Sequence, residues 1–270
     1  MTFILYLIAL VFGLIVGSFL NVVIYRRGTG WSLNGRSKCL SCSQQLKWTE
    51  LIPLVSFIIQ RGKCKKCQAK ISNQYPLVEI TTALLFALTL NLLGLTPANL
   101  TSLNLWLLVM TWGVMATLVL IFVYDLRHKI IPDEFVWTLV ILAFMSFLPT
   151  LFSIGLAGFL IEVLHALYTG GLVFGLFWLM WYLSQGRLMG LGDAKLVFGL
   201  GFWLGLLFMA KALLVAFVLG AVVGLILIGL SKYPHLFKKR LGFNLKSELP
   251  FAPFLIIGSL VSYFGLLNIL

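Results

Sequence analysis

Two sets of residues have types and spacings that could do chemistry: four cysteines and a pair of aspartates. All four cysteines of the 270-residue chain lie in one polar segment, as Cys39-Leu-Ser-Cys42 and Cys64-Lys-Lys-Cys67, with 21 residues between the pairs. Each C-x-x-C lets two thiolates take adjacent corners of a tetrahedron, and two such pairs complete a four-sulfur zinc shell. Four protein ligands leave no open position for water, so the zinc expected here is structural. Lys38, Lys63, Lys65 and Lys66 beside the pairs would favour the thiolates and offset their charge. Two disulfides or a redox pair are the alternatives. A reducing cytoplasm disfavours structural disulfides, and a redox motif needs only one pair.

The chain has only 8 Asp and Glu, and two aspartates stand at the ends of apolar runs. Asp125 closes Leu118-Val-Leu-Ile-Phe-Val-Tyr-Asp125, and Asp193 sits in Met189-Gly-Leu-Gly-Asp193-Ala-Lys just before another apolar run. Ionisable groups in low dielectric are expensive to bury and are functional candidates for that reason. Two carboxylates that face one another there share one proton, so the ionised member can deprotonate water while the protonated one polarises a peptide carbonyl. Gly190 and Gly192 take side chains away from beside Asp193, leaving room for an extended substrate backbone. Peptide-bond hydrolysis is the chemistry implied. The same residues also suit a plainer reading, with Asp125 in an interfacial ion cluster with Arg127 and Lys129 and Asp193 capping a helix.

The elements that must position these residues are membrane helices. The chain is 61% hydrophobic and 10% charged, with a mean hydropathy of +1.05, whereas soluble domains are roughly half apolar and about a quarter charged. Its net charge of +12 comes with too few charges overall for a nucleic-acid binder. Apolar stretches fall at 3–25, 77–96, 104–124, 135–153, 160–183, 195–210, 212–230 and 251–270. Most are near the roughly 20 residues that cross hydrocarbon, so an all-α integral membrane protein of about eight transmembrane helices is expected. The 195–230 region admits other divisions.

Ten of the 20 Lys and Arg residues lie between Arg26 and Lys70, and the others concentrate in 125–134, 184–195 and 231–250. The loops around 97–103 and 149–159 carry none, and Lys211 is the single basic residue on that side. By the positive-inside rule the basic loops face the cytoplasm and both termini face out. Met1 to Tyr25 has no basic n-region and a long apolar run, so it is expected to remain as a helix. The organisation expected is a first helix at 1–25, a small cytoplasmic zinc-binding insert at 26–76 and a polytopic catalytic domain of about seven helices at 77–270.

Other residues have less chemistry in their spacing. The pairs Gly13/Gly17, Gly171/Gly175, Gly201/Gly205 and Gly220/Gly224 suit close helix packing. Asp133 is read as a cap of the fourth span and Asn21 as a helix–helix hydrogen bond. Glu79 is read as an interfacial anchor of the second span, with a methyl-transfer role as the alternative. His128 and His235 are read as exposed basic-loop residues.

The strings Gly17-Ser-Phe-Leu-Asn-Val-Val-Ile-Tyr-Arg26, the two C-x-x-C pairs, Glu50-Leu-Ile-Pro-Leu-Val-Ser56 and Ile71-Ser-Asn-Gln-Tyr-Pro-Leu-Val-Glu79 follow in order along the chain. Asp125 through Ile131-Pro-Asp133, Gly190-Leu-Gly-Asp193 and Pro250-Phe-Ala-Pro-Phe254 complete the series. Together they resemble the bacterial type IV prepilin peptidases, also called leader peptidase/N-methyltransferases, along almost the whole chain. The resemblance implies a GxGD-type aspartic membrane protease of the bacterial cytoplasmic (inner) membrane, with Asp125 and Asp193 catalytic. Its substrates would be type IV prepilins or type II secretion pseudopilins. It also implies methylation of the new N-terminus with S-adenosylmethionine; no glycine-rich dinucleotide fingerprint points to that donor independently. A presenilin-like intramembrane protease shares Tyr124-Asp125, Gly190-Leu-Gly-Asp193 and Pro250-Phe-Ala-Pro253, but the four-cysteine insert points away from it. A proton or cation transporter with a regulatory zinc insert is the non-enzymatic alternative, and no half-to-half repeat supports it.

Overall fold

The protein is all-α. A computed structural model describes residues 2–27, 32, 34–187, 189–231 and 250–265. The basic residues of 232–249, His235 among them, and the end of the last predicted span lie outside the described residues. The helices are α1 Thr2–Arg26, α2 Val55–Ile59, α3 Gln74–Leu92, α4 Ser102–His128 and α5 Asp133–Ser146, then α6 Leu148–Ser184, α7 Leu191–Leu204, α8 Leu206–Ser231 and α9 Ala252–Tyr263. Five of them, α1, α3, α4, α6 and α8, are long and apolar enough to cross a membrane. At about 1.5 Å per residue, the 14 residues of α5 or α7 and the 12 of α9 are short for a hydrocarbon core of roughly 30 Å.

Three boundaries differ from the sequence reading, and glycine accounts for two of them. The expected outer loop at 149–159 is helical: Phe147 alone separates α5 from α6, and Pro149 in the first turn suits a helix start. The break falls inside α6 at Gly155, whose φ of 76° and ψ of −179° a bulkier residue rarely adopts. Likewise the division of 195–230 lies at Gly205 (φ 73°, ψ 171°), so Lys211 belongs inside α8 rather than in a loop. Apolar composition is continuous across both sites, and only the backbone freedom of glycine marks them.

The chain forms two compact units, Met1–Val123 and Tyr124–Leu270, divided within α4 rather than at the edges of the insert. In the first unit α1 crosses α3 closely. A Cβ on Gly13 would stand 2.5 Å from Ala83 Cα, and one on Gly17 2.7 Å from Glu79 Cα, so only glycine permits the approach. Asn21 supports the same crossing: its Nδ2 donates to the carbonyls of Gly17 and Tyr75, and its Oδ1 accepts from Gln74 Nε2. Trp112 of α4 stacks on Phe86 at 4.8 Å and donates to Phe86 O and Thr89 Oγ1. In the second unit α7 packs on α5 and α6. Gly201 meets the Gly170 backbone at 3.2 Å, and Gly199 meets Leu139 at 3.0 Å, measured from the Cβ each would carry. Ala143, Ala166 and Phe202 form a buried cluster between these helices, and Gly258 brings α9 against the Ala212 carbonyl of α8.

Candidate active site and metal centre

Each C-x-x-C is built as the same small knuckle. Cys39 N–H donates to Gln44 O and Ser43 N–H to Cys39 O; Cys64 N–H donates to Ala69 O and Gln68 N–H to Cys64 O. Isolated antiparallel bridges, Lys38 to Gln45 and Lys63 to Lys70, close the two turns. Ser43 (φ 54°) and Gln68 (φ 59°) take the left-handed conformation that folds each turn back. The result brings the four Sγ atoms within 4.8 Å of one another. The Cys42 amide, ahead of smaller effects, draws the Cys39 thiol down to about 7. At Cys67 the Ala69 amide acts the same way, but desolvation and the three neighbouring thiols prevail and raise it to about 11. Four thiols that cannot all ionise side by side are the donor set a soft divalent cation completes, so the residues fit a metal of the zinc type.

Two sets of hydrogen bonds tie the insert to the helices, and a ring stack joins the two helix ends beside it. The Arg26 guanidinium donates to the carbonyls of Ser32, Asn34, Gly35 and Arg36, clasping the chain as it leaves α1. Tyr25 and Tyr75 stack at 5.1 Å with planes 8° apart. Glu79, 5% exposed, accepts the Leu54 N–H at 2.7 Å and a hydrogen bond from Ser18. Leu54 has φ 59° and ψ −50°, an unfavourable conformation for leucine, and the carboxylate holds its amide in place.

In the second unit the aspartates stand at two helix ends, Asp125 at the end of α4 and Asp193 at the start of α7. Asp125 lies in the last turn of α4, where its carbonyl accepts the Lys129 N–H at 2.7 Å and Lys129 turns left-handed (φ 55°). That residue terminates the helix, and Pro132 begins α5 three residues later. Asp193 is the third residue of α7, and its carboxylate takes a hydrogen bond from the backbone of Gly190, the residue preceding the helix. Gly190 holds the capping position of α7, so Asp193 does not cap it but braces its first turn from within, as one half of a capping box does. The hydrogen bond fixes the carboxylate over the helix start, close enough to Asp125 to feel its charge. Asp125 is 5% exposed, and its Oδ2 has no hydrogen-bond partner among the described residues. An orphaned carboxylate oxygen beside a second acid is poised to bind a water or a substrate group.

The remaining residues sort by what they touch. A Cβ on Gly190 would stand 3.7 Å from Asp193 Oδ2, whereas one on Gly192 would meet Ile131 at 3.4 Å; Gly190 therefore keeps space beside the carboxylate and Gly192 seats α7 on the 129–132 turn. Asp133 does not cap α5, since Pro132 holds the capping position; both its oxygens instead accept from Lys195 Nζ, at 2.7 and 2.8 Å. That pair joins the first turns of α5 and α7. His128 is not an open loop residue. It ends α4 with its ring 4.4 Å from Tyr124, and its buried Nε2 has no partner among the described residues. Its position three residues after Asp125, on the same helix face, was the signal available in the sequence.

Comparison with known proteins bears on this arrangement. Residues 11–92 match the Bacterial Peptidase A24 N-terminal domain, and residues 112–225 match the Type IV leader peptidase family. A Prepilin leader peptidase/N-methyltransferase of Stutzerimonas stutzeri is 31% identical, covering 95% of this chain and 89% of that protein. The Type 4 prepilin-like proteins leader peptide-processing enzyme of Escherichia coli O78:H11 is 31% identical over 95% and 93%. A Prepilin leader peptidase/N-methyltransferase of Bacillus subtilis is 32% identical over 95% and 92%. No solved structure gives a significant match. Both aspartates fall inside the second family match and all four cysteines inside the first, and on matches of this extent the chain belongs to the type IV leader peptidase family.

Proposed function

We propose that this membrane protein removes the leader of type IV prepilins or pseudopilins and then methylates the N-terminus it has exposed. The observation that carries the proteolytic half is Asp125 at the end of α4, its Oδ2 buried and unpartnered among the described residues, within range of the charge of Asp193 at the start of α7. In this reading Asp125 and Asp193 are the catalytic pair. The ionised carboxylate takes a proton from the attacking water, the water oxygen bonds to the scissile carbonyl carbon, and the protonated partner donates to the carbonyl oxygen. Collapse breaks the C–N bond as the departing amine takes the proton that the first carboxylate gained from water, and a hydroxyl proton of the intermediate returns to the partner, restoring the pair. Gly190 leaves the approach beside Asp193 open, and the Asp133–Lys195 pair joins the first turns of α5 and α7.

S-adenosylmethionine, when bound, would supply an electrophilic methyl group to the new amine. The family relatives that carry the N-methyltransferase name support this half. Cys39, Cys42, Cys64 and Cys67 hold structural zinc, and Glu79 is the carboxylate that anchors the insert to α3. The insert and the aspartates lie on the cytoplasmic face of the bacterial inner membrane, as the distribution of Lys and Arg among loops supports. Co-expression with a prepilin and mass measurement of the pilin N-terminus tests both halves together. Loss of the leader mass with a gain of one methyl group is the expected result; an intact leader contradicts the reading.

A further inference from the structure

The compact unit Met1–Val123 contains a cavity of about 360 Å³ that the proteolytic chemistry does not use, and every residue lining it belongs to that unit. Its floor is the end of α1 and the start of α3, its opposite wall the two cysteine knuckles and the segment around Glu50. The volume is at the lower end of small-molecule sites, suited to one nucleoside-sized ligand; a helical peptide about 10 Å across needs a longer groove.

The lining offers an unusual combination of groups. Tyr25 and Tyr75 present a stacked aromatic pair at the helix ends. Two acidic residues line it: Glu79, buried and already accepting from Leu54 N–H and Ser18, and Glu50, which also accepts the Lys47 N–H at 2.8 Å. Lys38 and Lys70 supply positive charge from the knuckles. Taken together these groups match a ligand that carries a cation, a carboxylate, a diol and a flat heterocycle. A sulfonium is stabilised by aromatic faces and a nearby carboxylate, a ribose diol is bound by an acidic acceptor as in other adenosyl sites, and an α-carboxylate pairs with lysine.

We propose that this cavity is the binding site for the methyl donor S-adenosylmethionine, with Glu50 on the ribose, the Tyr25 and Tyr75 rings with Glu79 around the sulfonium, and Lys38 on the donor's carboxylate. The inference rests on the proposal that the chain is a methyltransferase. It also gives the cysteine knuckles a second consequence, because a metal that orders them orders one wall of the donor site.

The test is equilibrium dialysis of radiolabelled S-adenosylmethionine against the full-length protein in detergent. It compares wild type with Glu50→Gln and with Val22→Trp, which adds bulk to the cavity wall from α1 and replaces no knuckle residue. Metal content and thermal midpoint are measured on the same samples. Wild type is expected to bind about one equivalent, and both variants to bind at least tenfold more weakly with metal content and midpoint unchanged. Ultraviolet crosslinking of the bound adenosyl group, followed by peptide mapping, is expected to label the peptides containing Tyr25 or Tyr75. Binding within twofold of wild type in both variants, or a label confined to Tyr124–Leu270, overturns the site while leaving the methyltransferase reading standing. A wild type that binds no donor overturns the methyltransferase reading and the site with it. If a variant loses metal or midpoint, the crosslink map on wild type decides alone.

Discussion

At the residue scale the site consists of groups whose surroundings are incomplete. Asp125 Oδ2 and His128 Nε2 are both buried, both unpartnered among the described residues, and three positions apart on one helix. Asp133 and Lys195, by contrast, satisfy each other in the open, with side chains 57% and 38% exposed. Exposed ion pairs contribute about 0–1 kcal/mol, so Asp133→Asn and Lys195→Met should each lower stability by no more than that and retain most leader cleavage. Thermal midpoints and initial rates on purified variants check this; an Asp133→Asn loss as large as that of a dyad variant would make Asp133 part of the chemistry. Asp125 and Asp193 were legible in the sequence because an acid at the edge of an apolar run is conspicuous. The partner of Asp133 was not legible, since Lys195 lies 62 residues away and only packing of α5 on α7 brings the two together.

Among the elements, the four glycine pairs look alike in sequence and differ in the fold. Gly13 and Gly17 lie under the α3 backbone, Gly201 meets Gly170, and Gly171 and Gly175 face open space within 4 Å. Spacing alone predicts that small residues allow approach; which helix approaches is a property of the tertiary structure. Gly17→Val should therefore force α1 away from α3 and cost about 1–3 kcal/mol, the usual penalty of overpacking. Gly171→Val should be nearly neutral. Unfolding midpoints in mild detergent compare the two directly, and equal losses would contradict the crossing described here. The helices themselves were legible as long apolar runs. The ends at Phe147, Gly155 and Gly205 were not, because the chain stays apolar across them and the change is one of backbone dihedral only.

For the whole molecule, the two compact units divide the proposed labours: Met1–Val123 carries the cysteine cluster and the cavity, Tyr124–Leu270 the aspartates. The small insert contains short helical turns and isolated bridges among its described residues, so metal should supply much of its folding energy. Purified protein should hold one zinc. Cys64→Ser, which replaces the buried ligand, should lower folded yield severely; full occupancy and yield in that variant would remove Cys64 from the metal site. The central claim concerns the other unit, and it is tested most directly by initial leader-cleavage rates on a prepilin in liposomes, normalised to folded protein, for Asp125→Asn and Asp193→Asn. Asn keeps the shape of each side chain and removes its titration, so each variant is expected to lose about 100-fold or more in rate and to abolish the bell-shaped pH dependence of the wild type. A near-normal rate in either variant would contradict the account.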